Sequence, residues 1–360
     1  MSKRRKKKLN RRQQEIRRKR LKKRKRRRAI VIIIELIILC ILGTTAFALF
    51  KLGKMERTSL TNIKNNGLKQ TGYTNIALFG LDSRGKSLGK GNRTDTIMVA
   101  SINNETKKVK LISVYRDTML KQNGEHYDKA NAAYSVGGPE TAVNMLNENL
   151  DLDIQDYVSV NFLALADVID MVDGITVKMT DEEVVHMNNY CVETSKVTGK
   201  KYKKIEPAVA GTYKLNGVQA VSYARIRYTA GGDYKRTERQ RLVLEKTANK
   251  LKKQNLATIN KIIDKVMPEV STSFSTKEIL ALASGAFDFE LGETSGFPFD
   301  LETPDSVPGY SGSYVIPKGL EENVIKLHEF LFPDEEYTPT KTVTNISDTL
   351  INMTNVYPST

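Results

Sequence analysis

The chain has 360 residues and a formal net charge of +16, but residues 1–28 alone hold nineteen Lys and Arg residues against Glu15. The rest of the chain therefore has 38 basic and 40 acidic residues, a net charge of −2, which argues against a body built to bind nucleic acid. The two cysteines and the three histidines, none in zinc-ligand spacing, exclude a disulfide framework and favour neither a redox nor a zinc enzyme.

The start of the chain has the pattern of a membrane anchor. Residues 1–28 are too densely charged to bury a core, whereas residues 29–50 are almost all apolar. At about 1.5 Å per residue this run can cross a hydrocarbon core of about 30 Å as a transmembrane helix. The positive charge before it places the tail in the cytoplasm, beside anionic inner-leaflet lipids, and the body outside the cell. We therefore predict a single-pass cell-membrane protein.

Two alternatives for this region stay open. Residues 46–48 have the small-x-small form of a signal-peptide cleavage site, so the apolar run could be removed. The basic tail could also bind nucleic acid through charge alone, although no groove-reading fold accompanies it.

Three further segments are predicted: an extracellular stalk (51–72), an extracellular domain (73–335) and a disordered C-terminal tail (336–360) rich in Thr, Asn and Ser. Within the domain, apolar runs and turn signals predict strands at 73–81, 96–102, 108–115, 157–160, 175–179 and 218–228. Helices are predicted at 139–150, 162–172, 233–253, 256–266, 276–286 and 320–332. Residues 186–207 are polar and lysine-rich and are interpreted as a surface insertion. The pattern predicts an α/β fold, a mixed β-sheet flanked by helices.

Arginines and aspartates recur at the ends of these predicted elements. They are Asp82 with Arg84, Arg93 with Asp95, Arg116 with Asp117, Arg225 with Arg227, and Asp233 with Arg236 and Gln240. Arginine binds phosphate through two parallel hydrogen bonds and keeps its charge, and aspartate is a usual ligand of a magnesium ion that also contacts phosphates. Each pair alone is equally consistent with a turn, a helix cap or a surface ion pair. Together they predict one diphosphate-and-metal site.

Two of the groups carry more weight because of their spacing. Arg225 and Arg227 would share one face of the predicted strand, which is costly unless an anion lies between them. Asp233, Arg236 and Gln240 would share one face at the start of a helix, where the positive end of the dipole favours phosphate. Arg239 lies further round that helix, with Glu238 or Asp233 as possible partners.

These motifs, in this order, resemble the LytR-CpsA-Psr family of ligases that attach anionic glycopolymers to the cell wall of Gram-positive bacteria. The similarity runs from about residue 74 to 240, with a weaker match at 312–332. The matching stretches are 79–84, 93–98, 116–118, 129–134, 160–162, 215–217, 225–227 and 232–240. Two positions depart from the family pattern: Leu81 stands where Thr is usual, and Tyr115 where Pro is usual.

The resemblance implies a mixed sheet whose helices wall an apolar tunnel for a polyprenyl tail. It implies that Asp82 and Asp95 bind Mg²⁺, with Mn²⁺ as an alternative ion. It further implies a phosphate-binding set of Arg93, Arg116, Arg225, Arg227 and Gln240, and a pocket lined also by Arg84, Asp233, Arg236 and Arg239.

The implied reaction is a phosphotransfer from an undecaprenyl-diphosphate-linked glycopolymer to a peptidoglycan hydroxyl, with release of undecaprenyl phosphate. Asp82, Asp95 and Arg116 are the predicted catalytic residues, and either aspartate could accept the hydroxyl proton. A lipid-diphosphate hydrolase, a membrane-bound transcriptional regulator and a non-catalytic lipid-glycan binding module remain alternatives. Whether the polymer is a teichoic acid, a capsular polysaccharide or another wall glycan stays open.

Overall fold

The computed structural model describes residues 55–81, 88–284 and 288–359. The predicted basic tail and membrane span lie outside these residues, as do Asp82 and Arg84. Within the described ranges, no helix is both long enough and apolar enough to cross a membrane. Residues from Met55 onward belong to one compact unit.

A seven-stranded mixed sheet forms the centre of this unit. Its strands, in order across the sheet, are β1 (Glu56–Arg57), β10 (Val270–Thr272), β7 (Ile154–Asn161), β2 (Tyr73–Leu81), β3 (Thr94–Asn103), β4 (Lys108–Val114) and β11 (Glu290–Phe297). Strands β2, β3 and β4 are antiparallel neighbours, whereas β7 runs parallel to β2 and β11 parallel to β4. Three small ladders pair β5 (Met119–Lys121) with β6 (Tyr127–Lys129), β8 (Ile175–Met179) with β9 (Gly211–Leu215), and β12 (Leu301–Glu302) with β13 (Ile316–Pro317).

Helices cover both faces of the sheet. Those in the described ranges are α1 (Ala132–Leu150), α2 (Phe162–Met171), α3 (Asp181–Thr198), α4 (Gly217–Ala224), α5 (Gly232–Leu251), α6 (Leu256–Val266), α7 (Thr276–Ser284), α8 (Leu320–Leu331) and α9 (Lys341–Thr354). The predicted class, a mixed sheet flanked by helices, is confirmed. The β2–β3–β4 meander and helices α2, α5 and α6 lie where the sequence pattern predicts them.

The alternation of side chains along β2 divides the sheet into two faces. Ala77, Phe79 and Leu81 point into the main core, which α1, α8 and α9 close. Leu78 points to the opposite face and lines a cavity beneath α2, α4 and α5. Packed side chains therefore cover one face of the sheet, and a cavity lies against the other face.

Close packing of α4 against α2 fixes one wall of that cavity. Asn216 caps α4 through a capping box with Gln219, and every residue of the helix is buried. A Cβ on Gly217 would lie 2.1 Å from the carbonyl oxygen of Ala166, so only glycine permits this approach.

The predicted strand at 218–228 is wrong. Residues 217–224 form α4, Arg225 caps its end, and residues 226–231 form a loop. Helix α4 is only eight residues long and buried on all sides, and a short apolar run of this kind is equally consistent with a buried strand.

The predicted surface insertion at 186–207 is also wrong in its first half. Residues up to Thr198 belong to α3, which begins with a capping box between Thr180 and Glu183. Its residues Val184, Met187 and Cys191 are spaced by three and four and are buried in a second core. Polar residues lie between these three, so the composition of the segment does not reveal its narrow apolar stripe.

Residues 55–72 do not form a free stalk. Strand β1 pairs with β10, and Leu60 and Ile63 pack against the main core. Glu140 accepts a hydrogen bond of 2.7 Å from the backbone N–H of Thr61. Polar groups of this segment therefore form hydrogen bonds with α1, and the segment is part of the folded unit.

The predicted disordered tail at 336–360 contains α9. Val343, Ile346 and Leu350 lie on one face of this helix and are buried in the main core. Asp151 holds the preceding segment, because its carboxylate accepts hydrogen bonds from Tyr337 Oη at 2.6 Å and from the backbone N–H of Thr340 at 2.9 Å. The many Thr and Asn residues of the segment occupy the solvent face and the caps.

Candidate functional site

Three arginines converge on the carboxylate of Asp95 at the start of β3. Its Oδ1 lies 2.6 Å from Nη1 of Arg116, 3.5 Å from Nη2 of Arg227 and 3.5 Å from Nη2 of Arg236. These residues come from the end of β4, the loop after α4 and the first turns of α5. Arg116, Arg227 and Arg236, which the sequence predicts as parts of one diphosphate-and-metal site, therefore lie together at Asp95.

Arg236 is the most deeply placed member of the cluster, with 1% of the residue exposed. Its Nη1 lies 3.1 Å from Oδ1 of Asp233, and its Nη2 donates to the backbone carbonyl of Asp95. Both ends of the guanidinium are thus occupied by protein groups. Arg236 fixes Asp95 in place, and Arg116 and Arg227 are the more exposed cations.

The electrostatics of Asp95 follow from this arrangement. Burial on its own raises the pKa of the carboxyl, but the charges of Arg236, Arg116 and Arg227 and the hydrogen bond from Arg116 outweigh burial and hold the pKa below its ordinary value. Burial lowers the pKa of Arg236, while Asp95 and Asp233 act in the opposite direction. Asp95 is therefore ionised at neutral pH.

Gln240 connects this cluster to the apolar cavity. Its Nε2 donates to the carbonyl oxygen of Asp95 at 3.4 Å, and the same side chain lines the cavity. The cavity holds about 260 Å³, and its apolar walls come from the open face of the sheet and from three helices. The wall residues include Leu78, Met98, Val158, Val160, Leu165 and Leu244. An apolar chain and a charged group attached to its end would both find matching surroundings here.

Arg225 lies at the cavity wall rather than at Asp95. Its guanidinium is 4.9 Å from the ring centre of Phe162, and its Nη2 lies 3.2 Å from Oε2 of Glu193. It therefore does not share a strand face with Arg227, because the two residues follow a helix end.

Arg239 lies on another side of α5 and does not contact Asp95. Its Nε lies 2.9 Å from Oε1 of Glu183, its Nη1 donates to the carbonyl of Ile226 at 3.1 Å, and its Nη2 donates to Oγ1 of Thr229 at 2.7 Å. The predicted partners Glu238 and Asp233 are not the ones observed. Arg239 holds the loop that carries Arg227, so its placement argues for support of the loop over direct contact with a diphosphate.

Three predicted site residues remain, namely Arg93, Asp82 and Arg84. Arg93 precedes β3 and is exposed. Asp82 and Arg84 lie outside the described residues, so the predicted pairing of Asp82 with Asp95 is not tested.

Asp117 and Lys129 extend the cluster around Arg116. Oδ2 of Asp117 lies 3.2 Å from Nε of Arg116, and its Oδ1 lies 3.2 Å from Nζ of Lys129. Lys129 also sits 4.9 Å from the ring centre of Tyr314. Asp117 belongs to the predicted pieces of the site, whereas Lys129 was not predicted as a site residue. Lys129 lies in the matched motif at 129–134, but no local pattern indicates that β6 lies next to the end of β4.

The donor atoms around Asp95 fit a hard cation. Within the described residues, Oδ2 of Asp233 and Oε1 of Gln240 are buried and have no hydrogen-bond partner. Buried oxygens without a proton donor are the kind of ligand that Mg²⁺ uses. The described residues contain no group of three or more His, Cys, Asp or Glu side chains able to hold a metal, so any ion would have to combine Asp95 with other oxygens.

The class of protein defined by this fold and site is a mixed-sheet domain with an arginine cluster beside an apolar cavity. The family model of the LytR_cpsA_psr family matches residues 44–293. The chain therefore belongs to the LytR_cpsA_psr family, and the predicted resemblance is confirmed.

Individual relatives agree with this assignment. Biofilm regulatory protein A of Streptococcus mutans is 31% identical over 254 residues, which are 66% of this chain and 60% of that protein. The polyisoprenyl-teichoic acid–peptidoglycan teichoic acid transferase TagU of Enterococcus faecalis is 29% identical over 255 residues, 69% of this chain and 78% of that protein. The chain thus spans less than two thirds of the first of these relatives.

A solved structure supports the fold. YwtF (TagT) of Bacillus subtilis, a LytR-CPS2A-psr family protein with bound octaprenyl pyrophosphate lipid, has a TM-score of 0.54 and 21% identity. The match covers 76% of this chain and 99% of that chain. At this identity the likeness concerns the architecture.

Proposed function

We propose that this chain is a phosphotransferase that moves a glycopolymer from a polyprenyl diphosphate to peptidoglycan and releases polyprenyl phosphate. The observation that carries the proposal is the position of Gln240, which joins the Asp95 cluster to the apolar cavity through one side chain. A substrate with a charged diphosphate next to an apolar tail matches that junction. The similarity to TagU, which is named as a transferase of polyisoprenyl-linked teichoic acid to peptidoglycan, supports the same chemistry.

In this proposal the diphosphate contacts the more exposed arginines. Arg116 and Arg227 stand at the cluster surface, Arg93 is exposed and precedes Asp95 by two residues, and Arg225 lines the cavity. Before substrate binds, Asp95 balances part of this positive charge. Because the guanidiniums are already in place, they stabilise the charge that develops on the leaving phosphate without having to reorganise.

The reaction begins when a peptidoglycan hydroxyl attacks the sugar-side phosphorus. A new phosphodiester bond forms, the bond to the bridging oxygen breaks, and polyprenyl phosphate leaves with the electron pair. Asp95 is a weak base because its pKa is lowered, so we assign it to holding the arginines, and the hydroxyl proton passes to Asp82. Mg²⁺, or Mn²⁺ in its place, would be held by Asp95 and Asp82 and would neutralise phosphate charge.

The cellular setting in this proposal rests on the sequence. The apolar run at 29–50 anchors the chain, the basic tail lies in the cytoplasm, and the body faces the wall where peptidoglycan is found. A lipid-linked substrate would then reach the cavity from the membrane on the same side.

Arg227→Ala tests the site. We expect transfer of a lipid-linked glycan to peptidoglycan to fall at least about a hundredfold, because one phosphate-binding cation is lost from the transition state. Lys253→Ala removes an exposed cation just after α5 and should leave transfer unchanged. Near-normal transfer by a folded Arg227→Ala protein would contradict the proposal. Release of free phosphorylated glycan in place of wall-bound glycan would identify a hydrolase.

Removal of divalent metal tests the cofactor. Treatment with a chelator should abolish transfer, and Mg²⁺ or Mn²⁺ should restore it, because a divalent ion would stabilise the negative charge that develops on the leaving phosphate. Full activity in a preparation shown by elemental analysis to be metal-free would contradict a requirement for a divalent ion.

A further inference from the structure

Three aromatic rings form an open surface next to the arginine cluster. The ring centre of Tyr228 lies 6.4 Å from that of Tyr190, with 25° between the planes, and 6.2 Å from that of His186, with 37° between the planes. We call these three residues the aromatic platform. His186 and Tyr190 are four residues apart on α3, so they lie on one side of that helix.

Core packing explains only part of the platform. Tyr190 packs against the second core, but Tyr228 is 73% exposed, although it lies beside the rings of His186 and Tyr190 on α3. A large apolar ring left in solvent gives up most of the free energy that its burial would contribute. Ligand binding therefore explains the exposed position of Tyr228 better than a structural role does.

The platform is continuous with the proposed substrate site. Arg227, which precedes Tyr228, lies 3.5 Å from Asp95. On the other side, the guanidinium of Arg225 lies 5.8 Å from the ring centre of Tyr190 and lines the apolar cavity. A group attached to a diphosphate held at Arg227 would reach these rings within a few ångströms.

The chemistry of the platform matches a sugar ring. One face of a pyranose consists of C–H bonds and packs against a flat aromatic ring, while its hydroxyls point outward and donate to carboxylates. Carboxylates stand at the rim: Oε1 of Glu182 lies 3.9 Å from Nε2 of His186, and Oε2 of Glu193 lies 3.2 Å from Nη2 of Arg225. Flat apolar faces with acceptors at their edge favour a carbohydrate over a second lipid chain.

We infer that the aromatic platform binds the first pyranose of the lipid-linked donor, the sugar bonded directly to the diphosphate. This inference rests on the proposed function and adds to it a specificity-determining subsite. The donor is favoured over the acceptor because Arg225 joins the platform to the cavity that receives the donor's tail.

The test measures binding of two lipids to the full chain in detergent micelles by titration calorimetry. The probes are octaprenyl diphosphate and octaprenyl diphosphate bearing one N-acetylglucosamine. Tyr228→Leu keeps apolar bulk and removes the flat ring. We expect it to weaken binding of the sugar-bearing lipid about three- to tenfold and to leave binding of the bare lipid unchanged. Tyr228→Phe should bind both lipids as the natural chain does.

Tyr357→Leu is the matched control, because Tyr357 is also an exposed tyrosine, at 63%, but lies after α9. Equal binding of the sugar-bearing lipid by Tyr228→Leu and the natural chain would overturn the inference and leave the proposed function standing. A change confined to the KM for soluble peptidoglycan fragments would also overturn it, because the ring would then serve the acceptor. If the natural chain bound neither lipid, the proposed function would fail together with the inference.

Discussion

Asp95 organises the site at the scale of single residues. Three guanidiniums would repel one another at these distances, and its one carboxylate makes their approach possible. The carboxylate is 11% exposed, so these interactions are only partly screened by water. Loss of Asp95 should therefore disturb the fold as well as the chemistry.

Asp95→Asn should lower the free energy of unfolding by about 3 kcal/mol at pH 7, because it removes one of the two carboxylates that face the buried Arg236. The folded-state pKa of Asp95 lies below the ordinary 3.8, so its contribution is fully present above that pH and is lost as pH falls through the lowered value. Denaturant unfolding of both proteins between pH 7 and pH 3 provides the measurement. A stability difference that is constant down to pH 3, or absent at pH 7, would contradict this account.

Residue spacing predicted part of the site. Asp233, Arg236 and Gln240 are three and four apart, so the sequence correctly placed them on one face of α5. Arg239 precedes Gln240 by one residue and is rotated by about 100° around the helix, which takes it to Glu183 instead. The sequence could not assign its partner, because Glu183 lies on α3 and reaches Arg239 only through tertiary packing.

At the scale of elements, the errors fall where tertiary packing overrides local pattern. Helix α4 is short and buried all round, so its apolar run is equally consistent with a strand, and the apolar stripe of α3 is narrow and lies among polar residues. The strands of the β2–β3–β4 meander were predictable because turn residues and alternating apolar residues agree along that stretch.

Helix α9 gives a direct test of the corrected C-terminal segment. Ile346→Ala should cost about 2–4 kcal/mol of stability, because it leaves a cavity in the main core. Asp348→Ala changes an exposed residue on the same helix and should change stability by less than about 0.5 kcal/mol. Thermal and denaturant unfolding measure both. Indistinguishable stabilities for the two variants would indicate that the segment does not pack as described.

At the scale of the whole molecule, sequence separation limited prediction. Strand β11 joins the sheet beside β4 although about 180 residues lie between them, and β1 closes the other edge by pairing with β10. Short strands that pair across such distances have no local signal, so neither edge of the sheet was predicted. The mixed class itself was predictable, because helices and strands alternate irregularly around one hairpin.

The N-terminal segment makes a prediction about the limits of the folding unit. A chain beginning at Met55 should unfold at a higher temperature than one beginning at Tyr73, by roughly 6 °C or more. The shorter chain loses the apolar contacts of Leu60 and Ile63 and leaves the edge of β10 unpaired. Calorimetry of the two chains, with circular dichroism to confirm that both fold, gives the comparison. Equal melting temperatures would restore the interpretation of a free stalk.

Helix α5 carries Arg236 and Gln240 in its first turns and Val243 and Leu244, which line the cavity, directly afterwards. In the proposed function, this one helix therefore sets the distance between the bound diphosphate and the apolar tail. Inserting one residue after Gln240 would rotate the downstream half of the helix by about 100° and move Val243 and Leu244 out of register with the Asp95 cluster.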